Sequence, residues 1–170
     1  MKRFCTLPLV FVLVLSLVAC GKSDKELQVP VKFYYLNDEI GYGVDDGVIS
    51  FEEREAAQIQ NDLYALVQSY LLGPENAQLS RAVPASVCVE AVQSDQDTII
   101  LTLSPEFARL SGIDLTLACS CLSMTLLDYT NAQTVQIQVT DSLLAEGESI
   151  TMTREDILLV DGALIPNETE

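Results

Sequence analysis

Thr98-Ile99-Ile100-Leu101-Thr102-Leu103 and, further on, Thr134-Val135-Gln136-Ile137-Gln138-Val139-Thr140 both alternate with a period of two. In the first, Ile99, Leu101 and Leu103 point one way and Thr98, Ile100 and Thr102 the other. In the second, Val135, Ile137 and Val139 oppose a polar face of Gln136, Gln138 and Thr140, the pattern of a half-covered strand. Between them Ser111 to Asp114 opens a helix. Its apolar face is Leu115, Ala118, Cys119, Leu122, Leu126 and Tyr129, at helical spacing. Strand, helix and strand thus occupy the heart of the chain.

Working outward, Val87 to Gln93 reads as a strand joined to Thr98–Leu103 around Ser94-Asp95-Gln96-Asp97. Before it, Ser50-Phe51-Glu52-Glu53 fits a capping box, with Ser50 as N-cap and Glu53 reaching back. The helix so started carries Ala56, Ile59, Leu63, Leu66, Val67 and Tyr70 on one face. Gly73 suits the left-handed position after its end, and Pro74 prevents continuation. Val31 to Leu36 alternates Val31, Phe33 and Tyr35 with Lys32, Tyr34 and Leu36, a first strand. Asn37 to Gly47 is turn-rich and acidic, and Ser149 to Val160 predicts a further strand or hairpin. The expected fold is α+β, in the order β-α-β-β-α-β. Two helices pack on one face of a sheet, with the extra C-terminal strand or hairpin beyond.

The N-terminus has another character. Lys2 and Arg3 precede an apolar run from Leu7 to Val18, and the small residue Ala19 precedes Cys20. That is the layout of a secretory signal. The run is shorter than the roughly 20 apolar residues of a spanning helix. Leu17-Val18-Ala19-Cys20 resembles the bacterial lipobox at every position. The resemblance implies cleavage between Ala19 and Cys20 and acylation of the Cys20 thiol by a diacylglyceryl group, with palmitate-like chains. At about 0.8 kcal/mol per buried CH₂, a stable anchor needs two such chains. The expected organisation is a signal peptide at 1–19, a lipidated cysteine and tether at 20–30, one domain at 31–165, and a tail at 166–170. The expected location is a cell membrane, with the domain on its extracytoplasmic side.

Composition excludes several functions. The net charge of −16 becomes more negative once Lys2 and Arg3 are cut away. Tracking nucleic-acid phosphates needs a basic face, so no nucleic-acid partner is expected. Nor does a polybasic patch assist the membrane anchor. Histidine is absent, which removes Ser-His-Asp and Cys-His nucleophile activation and the usual zinc-hydrolase ligands. A two-carboxylate glycosidase would pass that filter. After cleavage Cys88, Cys119 and Cys121 remain beside Cys20. Buried thiols and a Cys88–Cys119 bridge both fit this count. On a helix Cys119 and Cys121 diverge by about 200°, a poor chelate.

Two local patterns invite chemistry. Asp46, Gly47, Ile49 and Glu53 match positions in the second half of an EF-hand loop. Tyr42 and Val44, however, stand where its first carboxylates belong. Asp38, Glu39, Asp45 and Asp46 could supply a carboxylate pair, yet their spacing is equally that of an exposed acidic loop. No catalytic residue, metal site or cofactor is assigned.

Taken in order, several pieces resemble the GerM-type (GerMN) domain of sporulation and germination lipoproteins. They are Val31 to Leu36, Leu71-Leu72-Gly73-Pro74, Ala82-Val83-Pro84, Ile99 to Phe107, Thr125-Leu126-Leu127 and Val135 to Val139. Pro84 is followed by Ala85-Ser86 where the family usually has glycine, and the chain holds one copy of the domain. The resemblance implies an α+β module similar to the ring-building modules of secretion and sporulation complexes, with no established catalytic residues. Phe107 is then a core position. The functional expectation is a membrane-anchored scaffold or assembly factor with an envelope protein partner. The alternative is a small-ligand or cell-wall glycan module, with Tyr34, Tyr42, Tyr64 and Tyr70 as candidate stacking residues.

Overall fold

The computed structural model describes residues 30–38, 47–55, 59, 62–140 and 149–157. Ala19 and Cys20, the expected tether up to residue 29 and the expected tail lie outside them. Among the described residues no helix is long and apolar enough to cross a membrane.

The strands of the described residues divide into two sheets. The first has the order β2-β1-β3, built from β1 (Val31–Asn37), β2 (Ile49–Arg54) and β3 (Leu79–Ser80). β1 buries Val31, Phe33 and Tyr35, as its alternation predicts. It pairs antiparallel with β2, from Val31 opposite Arg54 to Leu36 opposite Ile49, and with β3 at Leu36 and Asn37.

β2 corrects the sequence reading. Ser50 and Glu53 form no capping box, because residues 49–54 are a strand. The helix, α1 (Leu63–Leu71), begins only at Asp62. The Asp62 carboxylate accepts the N–H groups of Tyr64 (3.0 Å) and Ala65 (3.1 Å), the work assigned to Ser50. The reason lies in β1. A strand alongside it satisfies the backbone groups of Val31, Phe33 and Tyr35 and sets Phe51 against Tyr34, with ring centroids 5.6 Å apart. A ladder plus cross-strand contacts outweighs one cap. The buried face of α1 is Leu66, Val67 and Tyr70, as its spacing requires. Ile59 is buried ahead of the helix. At its far end Gly73 takes φ +89° and donates to the Tyr70 carbonyl at 2.9 Å. The Arg81 guanidinium binds the leftover carbonyls of Leu71 (2.6 Å) and Leu72.

The second sheet has the order β4-β5-β6-β7, from β4 (Val89–Asp95), β5 (Thr98–Leu103), β6 (Thr134–Val139) and β7 (Ile150–Thr153). β4 and β5 form a hairpin whose turn is Gln96-Asp97, with Gln96 at φ +53°. β5 and β6 run parallel, and β7 is antiparallel to β6. Ile99, Leu101, Leu103, Val135 and Ile137 are all buried, as is Phe107 in the 3-10 helix Pro105–Arg109.

The longest helix among the described residues, α2 (Gly112–Tyr129), joins β5 to β6. The predicted face buries Ala118, Cys119, Leu122 and Leu126, yet Leu117, Ser120, Cys121, Ser123, Thr125 and Leu127 are buried too. Both sides are covered: α2 packs on β1 of the first sheet and on β6 and β7 of the second, while α1 packs against β4. The α+β class holds, and β1, α1, β4, β5, α2 and β6 follow one another in the expected order, but β2 and β3 are added to it and the strands form two sheets, with α2 in contact with both. Cys88 is an exposed free thiol, and Cys119 and Cys121 are buried free thiols, so no Cys88–Cys119 bridge forms. Burial pushes the Cys119 thiol up to about 12 and that of Cys121 higher still.

Candidate functional site

Charge is concentrated inside the first sheet. Ser50, Glu52 and Arg54 share the side of β2 that faces the core beside Phe33 and Tyr35. The Arg54 guanidinium lies 4.6 Å from the Phe33 ring centre and donates to the carbonyls of Ser69 (3.2 Å) and Gly73 (2.6 Å). It also donates to the Tyr35 hydroxyl (3.2 Å) and through Nε to Glu52 (2.7 Å). Tyr35 in turn donates to the Tyr70 carbonyl at 2.9 Å and stacks on the Tyr70 ring, centroids 4.8 Å apart.

Glu52 completes the clasp from the other side. Its carboxylate accepts the N–H groups of Glu75 (3.0 Å) and Asn76 (2.8 Å) just past α1. Burial alone would raise its carboxyl. The bonds from Asn76 and Glu75, and then Arg54, outweigh this and hold it below the ordinary carboxylate value. Burial pushes Tyr35 up to about 12 despite the nearby guanidinium. These polar atoms bind backbone, tying β2 to the end of α1. Their chemistry is architectural.

A groove of about 1210 Å³ runs beside this clasp. Tyr64, Ala65, Gln68, Ser69 and Leu72 of α1 and its end line its floor. Glu53 and Glu55 line it from β2 and just beyond, and Ala85, Val87, Cys88 and Val89 from the stretch that leads into β4. Leu72 is 77% exposed and Tyr64 39%, and the Tyr64 hydroxyl spans to the Val89 carbonyl at 3.3 Å. On the opposite face of β2, Phe51 is 44% exposed and Lys32 sits 4.7 Å from its ring centre. Next to it the Tyr34 hydroxyl donates to Asp128 at 3.1 Å. Burial first, and the Asp128 charge second, push Tyr34 up to about 12.

The candidates from sequence scatter. Tyr34 and Tyr64 are partly exposed on different surfaces, Tyr70 is core, and Tyr42 lies outside the described residues. Asp38 is exposed, while Glu39, Asp45 and Asp46 are outside the described residues. Ile49 and Glu53 stand on a strand, where an EF-hand would need its exiting helix. Among the described residues no three His, Cys, Asp or Glu side chains gather closely enough to hold a metal ion. Arg54 and Glu52 were not singled out from sequence. The available signal was the alternation of residues 49–54, which sets both on the side opposite Phe51.

No family model matches the chain, and no curated protein matches it in sequence. Solved structures do match its fold. The tandem GerMN domains of the sporulation protein GerM from Bacillus subtilis align over 81% of this chain and 49% of theirs, at 15% identity and a TM-score of 0.56. The first GerMN domain of that protein aligns over 75% of this chain and 98% of its own, at 18% identity and a TM-score of 0.50. A candidate lipoprotein from Clostridium perfringens aligns over 75% of this chain and 89% of its own, at 16% identity and a TM-score of 0.47. The chain spans about half the length of the tandem structure. It has the fold of a GerMN domain, as the ordered sequence pieces implied.

Proposed function

We propose that this chain is an exported lipoprotein, held on the outer face of a membrane through Cys20, and that its domain is a non-catalytic scaffold or assembly factor. The complex it serves is one of the cell surface or of sporulation. The observation that carries this reading is the use made of buried charge. Arg54 and Glu52 are spent on the backbone of Ser69, Gly73, Glu75 and Asn76, which fixes the shape of a surface and activates nothing. The GerMN fold supports the same reading, since the neighbour that shares it is a sporulation protein. Leu17-Val18-Ala19-Cys20 supports the anchor.

The test has two parts. Cys20→Ala should abolish labelling by a fatty-acid analogue and leave the protein uncut or released; labelling that persists would show the anchor to be elsewhere. Crosslinking in membranes, followed by capture of the full chain, should bring down a protein partner. A glycan in its place would favour the second reading, for which the exposed Phe51 beside Tyr34 is the stacking surface.

A further inference from the structure

Among the described residues β2 is the last strand of its sheet, with only β1 beside it. The Asn37 N–H donates to the Val48 carbonyl at 2.9 Å, which sets the phase of the ladder. In an antiparallel pair the bonded positions alternate, so Ser50, Glu52 and Arg54 turn their backbone groups to β1. Ile49, Phe51 and Glu53 turn theirs outward. Tyr34 confirms the phase: its N–H points away from β2 and donates to Thr125 Oγ1 at 3.1 Å. Among the described residues, the outward N–H and C=O groups of Phe51 and Glu53 find no partner. Such an edge is a template for one more strand.

Of the other edges among the described residues, β3 is two residues long, β7 is four long with the Thr153 N–H taken by Asp156, and α1 packs against β4, with Tyr64 holding the Val89 carbonyl. The groove along β2 also has a definite chemistry. Glu53, Glu55 and Glu75 line it, and the Arg54 guanidinium among them is already taken by Glu52 and two carbonyls. Lys32 lies over the Phe51 ring and is not among the lining residues. Exposed Leu72 and Tyr64 add apolar area.

We propose that the outer edge of β2, with the groove beside it, receives an extended cationic segment of a partner protein as an added strand. This rests on the scaffold reading and gives the scaffold its docking surface. The backbone groups of Phe51 and Glu53 pair with the incoming strand. Its lysine or arginine side chains meet Glu53, Glu55 and Glu75, and its apolar residues cover Leu72 and Tyr64. A net charge of −16 sets two copies of this chain against each other, so a second copy is the wrong occupant. A glutamate at the strand edge repels like strands and admits one of opposite charge.

The experiment uses the full chain in detergent and a fluorescein-labelled peptide of alternating lysine and valine. Controls carry glutamate for lysine or a central proline. The lysine–valine peptide should bind saturably, more weakly as salt shortens the Debye length, and neither control should bind. Glu53→Pro deletes one outward N–H and leaves the bonds to β1 intact, and should weaken binding roughly tenfold. Glu53→Lys with Glu55→Lys keeps every backbone group and should reverse the preference toward the glutamate–valine peptide. Absence of binding, equal binding by this double variant, or a dimer that Glu53→Pro dissolves would each overturn the proposal. Capture from crosslinked membranes separates the two readings. If the double variant still captures the partner, the β2 edge is wrong and the scaffold stands; if the unaltered chain captures none, the scaffold itself falls.

Discussion

The two sheets of this domain are secured by opposite means. In β4–β7, Ile99, Leu101, Leu103, Val135 and Ile137 project into an apolar core beneath α2. In β2-β1-β3, the core-facing side of β2 is Ser50, Glu52 and Arg54, and β2 is held to α1 by a guanidinium and a carboxylate bound to backbone. Apolar burial is non-directional and scales with area. A polar clasp works only when each donor and acceptor is in place, and removing one member leaves the others buried and unmatched. The two regions should therefore differ in how they fail.

The largest effect is expected in the apolar region. Leu122 is fully buried on α2, and Leu122→Ala removes its transfer free energy and leaves a cavity, costing about 2–5 kcal/mol. Chemical denaturation should show a lower midpoint with an unchanged slope, because the exposed surface on unfolding is nearly the same. A cost below about 1 kcal/mol would mean that α2 is not enclosed between the sheets.

Next comes the clasp. Arg54→Met keeps much of the side-chain volume over Phe33 but leaves Glu52 and the carbonyls of Ser69 and Gly73 without their cation. The expected cost is about 2–3 kcal/mol, below that of a wholly buried pair because both side chains keep some exposure. Hydrogen exchange should quicken in residues 49–54 and 73–76 more than in 98–103. Uniform quickening would show that the two regions do not fail separately.

Acid should reach the same clasp by a gentler route. The Glu52 carboxyl is lower in the folded chain than its ordinary value of 4.5. The unfolded state therefore binds the proton first as pH falls. The stabilisation is fully present above about 4.5 and is lost as pH drops below it toward the folded value. Glu52→Gln should flatten this part of the stability–pH curve relative to the unaltered chain. A curve of unchanged slope would remove Glu52 from the account.

The same contrast explains what could be read from sequence. Apolar alternation in Thr98–Leu103 and Thr134–Val139 announces both strands and their buried faces, and the pieces resembling a GerMN domain lie largely in such positions. Where an element is covered on two sides the signal fades. Leu117, Cys121 and Leu127 lie off the predicted stripe of α2 and are buried because a second sheet covers them. Charged residues mislead more strongly. The alternation of residues 49–54 sets Glu52 and Arg54 on one side of a strand, yet nothing local reports that Phe33, Ser69 and Gly73 are waiting across the fold. The groove is harder still, being assembled from β2, α1 and residues 85–89, stretches far apart in the chain.

The smallest effect decides the correction at Ser50. Two residues compete for the start of α1: Ser50, favoured by its Ser-x-x-Glu spacing, and Asp62, whose carboxylate accepts two helix N–H groups. In the folded chain Ser50 stands opposite Tyr35 in a strand. Its replacement by alanine removes no cap and should change stability by less than about 0.5 kcal/mol, as at other positions away from special contacts. Asp62→Ala leaves the Tyr64 and Ala65 N–H groups without their acceptor and removes a negative charge from the positive end of the helix dipole. The expected loss is about 1 kcal/mol. Asp62→Asn, which keeps the acceptor and removes the charge, should recover most of it, because asparagine caps nearly as well. Thermal melts of the three variants suffice. If Ser50→Ala proves the costlier change, residues 49–54 are helical after all, and the clasp built on β2 goes with them.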